Sequence, residues 1–211
     1  MANFVIDLAP LKKSRDFSLL WAAGLISYFG SMITYVAVPF QVKELTGSYV
    51  AVAISGLVEI VPLIIFGLYG GVLADALDRK KLIWVTELLS LLFTAILLIN
   101  SMMDSPSLLL IYIVSGLFAA VSGLRQPAMQ AALPRLVDHE DMTAAAALMS
   151  LRWQVGVIVG PAIGGILISS YSVAVGYAAD IATFIISIAL IAFMKNIPPS
   201  HEAEAPSLSA L

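Results

Sequence analysis

The sequence predicts an all-α membrane protein of six transmembrane helices, and three observations carry that prediction. Apolar residues make up 60% of the 211 residues and charged residues only 12%, where a water-soluble domain carries about 25% charged residues. Mean hydropathy is +0.97. Apolar runs of about 20 residues, the length that crosses a hydrocarbon layer about 30 Å thick, recur along nearly the whole chain.

The runs lie at residues 17–41, 48–74, 82–103, 105–124, 143–171 and 172–194. The first meets no charge until Lys43 and is too long for the core of a cleaved signal peptide. Turn-forming or charged residues separate the runs: Thr46, Gly47 and Ser48, then Asp78 to Lys81, then Asp104, Ser105 and Pro106, then the polar stretch 134–141, then 169–172. An even number of spans puts both termini on one side. Ten of the eleven lysines and arginines fall on that side, with Lys43 the exception, so the positive-inside rule makes it the cytoplasm of a multi-pass cell-membrane protein. Arg79, Lys80 and Lys81 open the third span, where cations oppose the helix macrodipole, and holding that loop in the cytoplasm gives them a reason to be there.

Three regions follow: a cytoplasmic N-terminus at 1–16, a transmembrane domain at 17–195 and a cytoplasmic tail at 196–211. The tail has Pro198, Pro199, Glu202, Glu204 and Pro206 and no apolar period, which reads as a disordered linker.

Several functions are excluded. A net charge of -3 without a basic block interleaved with aromatics does not suit a nucleic-acid partner. Cysteine is absent, so disulfides and thiolate chemistry are excluded. His139 stands among Asp138, Glu140 and Asp141, and His201 lies in the tail. Neither has a second ligand at metal spacing, so no metal and no cofactor are expected. A solvated turn that starts the fifth span with an aspartate cap accounts for His139. A six-helix intramembrane protease would need a serine after a glycine and a histidine within the membrane, but Ser122 follows Val121 and neither histidine is in a span. No phosphate-binding loop occurs, so the chain is not expected to be an enzyme or an ATP-driven pump.

Four ionisable residues fall within the spans: Glu59, Glu87, Arg152 and Asp180. A charge at mid-bilayer costs roughly 2.5 to 3.5 kcal/mol, so each should be paired, protonated or facing water. Glu87 and Asp180 read as interhelical hydrogen-bonding groups, and Arg152 as a possible partner of a carboxylate at its own depth, such as Glu87. Pro62 adds a kink site near Glu59.

Two motifs carry mechanism. In the fifth span Gly156, Gly160 and Gly164 recur every fourth residue, with Pro161 and Gly165 beside them. This makes a stripe without side chains on which another helix can pack closely, with a bend at the proline. Between the second and third spans, residues 71–81 contain Gly71, Asp75, Asp78, Arg79, Lys80 and Lys81. Asp78 can cap the third span. Bland alternatives are a generic packing face for the first motif and a solvated charged turn for the second.

The glycine-rich decapeptide 156–165 resembles the antiporter motif of the major facilitator superfamily, and residues 71–81 resemble that superfamily's cytoplasmic-loop signature, with Asp78 where glycine is usual. Arg15, Asp16, Phe17, Leu20 and Trp21 before the first span, Pro39 and Thr46 to Ser48 near its end, and Asp180 with Phe184 in the sixth are similar to the branch of macrolide, multidrug and enterobactin exporters. The likeness covers residues 11–195. It implies one half of the major facilitator fold, built as two inverted three-helix repeats, so that Gly70 and Gly71 should correspond to Gly164 and Gly165. It also implies a second six-helix half as partner, a small amphipathic substrate such as a lipophilic drug or siderophore, and proton-coupled efflux by alternating access. Asp75 would latch one conformation against the second half. Glu59 and Arg152, on helices that line the cavity in the family, become the substrate or proton-coupling residues, while the third and sixth helices lie outside it. Gly30 and Ser31 replace a common acidic site and Tyr112 replaces an arginine of drug antiporters, so coupling at those positions is not implied. The competing expectation is a truncated membrane protein that packs or assembles without transporting. Without a second half the glycine stripe should be an exposed groove.

Overall fold

The computed structural model describes residues 7–198, all connected by helices and short turns. A short helix α1 (Ala9–Lys13) leads into six long ones: α2 (Arg15–Thr46), α3 (Tyr49–Ala76), α4 (Arg79–Ser101), α5 (Leu108–Leu136), α6 (Met142–Ser170) and α7 (Val173–Ala192). All six are long and apolar enough to cross a membrane.

Local chemistry sets the helix starts. Ser14, Ser48, Asp78, Ser107 and Ser172 each accept a hydrogen bond from the amide three residues on, at the starts of α2, α3, α4, α5 and α7. Each such cap is worth about 1 kcal/mol because it answers an amide that the helix leaves unpaired. Gly47 ends α2 at φ +64°, a left-handed turn that favours glycine, and its N–H reaches the Lys43 carbonyl at 2.9 Å. The start of α6 differs from the expected aspartate cap. Asp141 makes no side-chain cap bond there; its carboxylate is held by Lys13 at 2.8 Å.

The packing has an approximate twofold pattern. α3 lies on α5, and α6 lies on α2; α4 packs against α5, and α7 against α2; α4 and α7 meet each other, and so do α2 and α5. Exchanging the first three long helices with the last three maps this set of neighbours onto itself, as inverted repeats require. The glycines obey the same exchange. A Cβ on Gly70 of α3 would meet the α5 backbone at Leu124 at 3.0 Å, and one on Gly164 of α6 would meet the α2 backbone at Ile33 at 3.1 Å. Beside them, Gly71 and Gly165 both face open space.

Because α3 and α6 are not packed together, the bundle is open between them, with the α2/α5 seam as its floor. These two helices also carry the longest exposed apolar stripes, including Leu57, Ile60, Ile64 and Leu68 on α3 and Ile158 and Ile166 on α6.

The structure departs from the sequence reading in three places. α5 continues through Pro127 and Pro134 to Leu136, where the apolar run suggested an end near residue 124. The glycine stripe of α6 is not an exposed groove: Gly156, Gly160 and Gly164 are buried against Tyr28, Met32 and Ile33 of α2. Finally, the supposed linker is anchored at its start by Ile197, only 4% exposed between exposed Asn196 and Pro198. The rest of the disordered tail expected over 196–211 lies outside the described residues.

The stripe yields a paired test. A Cβ at position 160 would collide with Met32 Cβ and come within 3.0 Å of the Phe29 carbonyl, so Gly160→Ala should lower thermal stability in detergent by about 1–3 kcal/mol from overpacking. Gly165→Ala, facing open space, should leave the unfolding temperature unchanged or raise it, since alanine favours helix by about 1 kcal/mol.

Candidate functional site

Two buried polar centres sit along α2, and the glycines of α2 make room beside them. The first joins α2, α4 and α5. Glu87, 1% exposed, receives a hydrogen bond from Ser27 Oγ at 2.9 Å and pairs with Arg125 Nη1 at 2.8 Å. The partner suggested for Glu87 was Arg152, and the fourth apolar run, ended at residue 124, left Arg125 outside the span; the structure corrects both. α5 runs eleven residues beyond Arg125, and its Ala128, Met129 and Ala132 are buried, so this arginine lies inside the bundle. A charge was taken as the end of an apolar run, but a charge answered by a facing carboxylate does not end a helix. The spacing of residues 121, 125, 128 and 132, all buried, is the helical period that would have revealed it.

The second centre joins α2, α4 and α7. Asp180 is completely buried and accepts from Thr34 Oγ1 at 2.5 Å and Thr94 Oγ1 at 3.4 Å, with Thr183 Oγ1 at 3.3 Å. A side chain on Gly30 would strike Asp180 and Thr183. Under the exchange of repeats α7 corresponds to α4 and α2 to α5, and α4 and α7 each carry one of these buried acids. One acid faces a guanidinium and the other faces hydroxyls.

Arg152 of α6 is 7% exposed. Its guanidinium lies over Gly24 of α2, where a Cβ would collide with it, and Nη1 is 3.7 Å from Met129 Sδ. Glu59 of α3 is partly exposed on the face that also carries Ser55 and Pro62, and among the described residues no hydrogen bond or ion pair engages it. Glu59 and Arg152 therefore stand on the two helices that flank the opening, and they are not brought together.

The loop motif lies at the end of the bundle where the chain both enters and leaves. Asp78 Oδ1 caps α4 through the Lys81 amide at 3.1 Å and also accepts from the Ile197 amide at 3.4 Å. Arg79, 5% exposed, donates from Nη1 to the Pro198 carbonyl at 2.7 Å and from its amide to the Ile197 carbonyl at 3.0 Å. Lys80 Nζ reaches the Ala192 carbonyl at 3.1 Å and also that of Met194. The cations that oppose the α4 macrodipole thus answer carbonyls left free where α7 ends, a reason that no reading of the loop in isolation supplies. Asp75 is exposed and lies 3.9 Å from Arg79. On the same end, the Asp141 carboxylate, through its hydrogen bond and its charge, holds the Lys13 ammonium above its ordinary range. Among the described residues no cluster of histidine and acidic side chains is arranged to hold a metal.

A six-helix bundle built from two inverted repeats, with charged side chains of its last four long helices buried against the first, has the architecture of one half of a major facilitator protein. Residues 6–208 match the family of major facilitator proteins described as transmembrane secretion effectors, and the chain belongs to that family. It is 32% identical over 213 aligned residues to the enterobactin exporter EntS of Salmonella choleraesuis (strain SC-B67), covering 99% of this chain and 51% of that protein. The exporters of the same name from Escherichia coli O1:K1 / APEC and Citrobacter koseri are also 32% identical, with 99% of this chain and 50% of each relative covered. The chain spans about half the length of these curated relatives.

The attachment of residues 194–198 to the loop can be tested directly. Asp78→Ala combined with Arg79→Ala removes the acceptor of the Ile197 amide and the donor to the Pro198 carbonyl, and should raise hydrogen exchange at the Ile197 amide and expose the region after Ala192 to protease, while exchange in the middle of α4 stays unchanged. Unaltered protection at Ile197 would show that these two side chains do not hold the segment.

Proposed function

We propose that this chain is the gradient-driven half of an exporter for small amphipathic molecules, working with a second six-helix unit by alternating access. The observation that carries this reading is the opening between α3 and α6, floored by α2 and α5, in a bundle whose other neighbours are tightly packed. A second unit seated over that face would enclose a cavity at mid-membrane, where transporters of this architecture bind cargo. The exposed apolar stripes of α3 and α6 are the surfaces such a unit would cover.

In this mechanism Glu59 takes up and releases the coupling proton. It stands beside the opening without a cation to fix its charge, so its protonation can follow which side the cavity faces. The stripe Gly156, Gly160 and Gly164 seats α6 on α2, so Pro161 and these glycines let α6 tilt on α2 as the cavity opens and closes. The basic loop, at the same end of the bundle as residues 194–198, faces the cytoplasm by the positive-inside rule, and Asp75, exposed beside Arg79, is the group that latches onto the second unit. The siderophore named by the EntS relatives is one cargo consistent with this class.

The reading is tested in proteoliposomes holding the chain together with a matching six-helix half, by following an amphipathic fluorescent dye under an imposed pH gradient. Gradient-dependent dye movement is expected with both halves and not with either alone, and Glu59→Gln should reduce it at least tenfold. Movement unaffected by Glu59→Gln would remove Glu59 from the coupling step, and no movement with both halves present would contradict the transport reading.

A further inference from the structure

Charge does not balance around the Gly24 to Ser27 stretch of α2. Arg125 and Arg152 lie one helical turn apart along two helices at once. Arg125 sits 3.5 Å from Ser27 Oγ on α2, while Arg152 lies over Gly24. On α5, Arg152 meets Met129, one turn beyond Arg125 itself. The one carboxylate in this group is Glu87; its Oε1 is engaged by Arg125 and Ser27, and its Oε2 is buried without a hydrogen-bond partner and beyond ion-pairing distance of Arg152.

Two guanidiniums against one carboxylate leave a positive charge unanswered, and the geometry identifies its holder. Among the described residues Arg152 has no carboxylate at ion-pairing distance. Its Nε is buried without a hydrogen-bond partner, and its one polar contact is a thioether sulfur. Asp180 is not a substitute, because it is held at Gly30 and Thr34, about 10 Å further along α2 from Gly24. An uncompensated charge in such a place is costly, and natural intramembrane charges that persist are generally functional. Arg152 also reaches from α6 to both α2 and α5, across the floor of the opening between α3 and α6.

We propose that Arg152 is the binding residue for an acidic group, a carboxylate or comparable oxyanion, on the molecule this bundle handles. The proposal rests on the transport reading in taking the opening to admit a small molecule, and it narrows the cargo from amphipathic molecules in general to organic anions. A guanidinium suits the task because its planar fork of donors matches the two oxygens of a carboxylate. Arg125, whose charge is already answered, holds the neighbouring helices and leaves Arg152 as the free cation.

The purified full chain in detergent can be titrated with benzoate and with its neutral isostere benzamide, reading tryptophan fluorescence. Trp153 adjoins Arg152 in sequence, and Trp21 donates to the Leu148 carbonyl one turn before it at 2.9 Å. Benzoate should quench saturably and benzamide should bind at least tenfold more weakly. Arg152→Gln should weaken benzoate at least tenfold and leave benzamide unaffected, Arg152→Lys should retain part of the binding, and Arg135→Gln, at an exposed cation, should change nothing. Equal binding of benzoate and benzamide, or benzoate binding unaltered in Arg152→Gln, would overturn the proposal. Should the glutamine variant aggregate, the benzoate-to-benzamide ratio in the native chain and in Arg152→Lys decides it. Selective benzoate binding without dye transport in the two-half system would count against the transport reading alone. Dye transport without benzoate selectivity would count against this proposal alone.

Discussion

The contact between Glu87 and Arg125 is the constraint on which the arrangement of the bundle depends. In hydrocarbon no water is available to answer a charge, so an acid on α4 and a guanidinium on α5 must meet, and Ser27 ties α2 to the same carboxylate at 2.9 Å. Breaking a buried pair from one side costs about 3–5 kcal/mol, because the remaining charge is left alone. Three helices are thereby fixed in rotation and depth at one point. The small residues of α2, Gly24 and Gly30, lie where side chains would collide with Arg152 and Asp180, which keeps the other polar groups close to the same axis.

The two buried acids show how one architecture can support different chemistry in its two repeats. Glu87 and Asp180 are buried on helices that the exchange of repeats interconverts, yet one meets a guanidinium and the other meets threonine hydroxyls. The arginine makes the first centre a permanent structural tie. The hydroxyls satisfy the second acid without a cation, so its stability does not depend on an ion pair. What remains is Arg152, a buried guanidinium that no carboxylate pairs with among the described residues.

Much of this was legible in the sequence. The six apolar runs and the turn residues between them located six helices, and Asp78 caps α4 as read; Ser48 and Ser172, named at their breaks, cap α3 and α7, while the cap of α5, Ser107, lay inside an apolar run. The repeat of Gly70 and Gly71 in Gly164 and Gly165 pointed to the twofold, although four residues alone could not establish it. Arg125 escaped because hydropathy scores a charge as a boundary whether or not a partner faces it, and that partner is 38 residues away in the chain. The glycine stripe was recognised, but its occupant was not, since spacing tells that a helix packs there and not which helix. The role of Arg79 and Lys80 at the end of α7 is likewise a contact between distant segments, which no local pattern contains.

The most direct measurement of this account exchanges the charges of the central pair. Glu87→Arg alone and Arg125→Glu alone should each give aggregated or poorly folded protein in detergent, as judged by size-exclusion profile and thermal unfolding. The double exchange should recover a monodisperse species with most of the native unfolding temperature. If either single reversal behaves like the native chain, or the exchange recovers nothing, the Glu87–Arg125 contact does not organise the bundle.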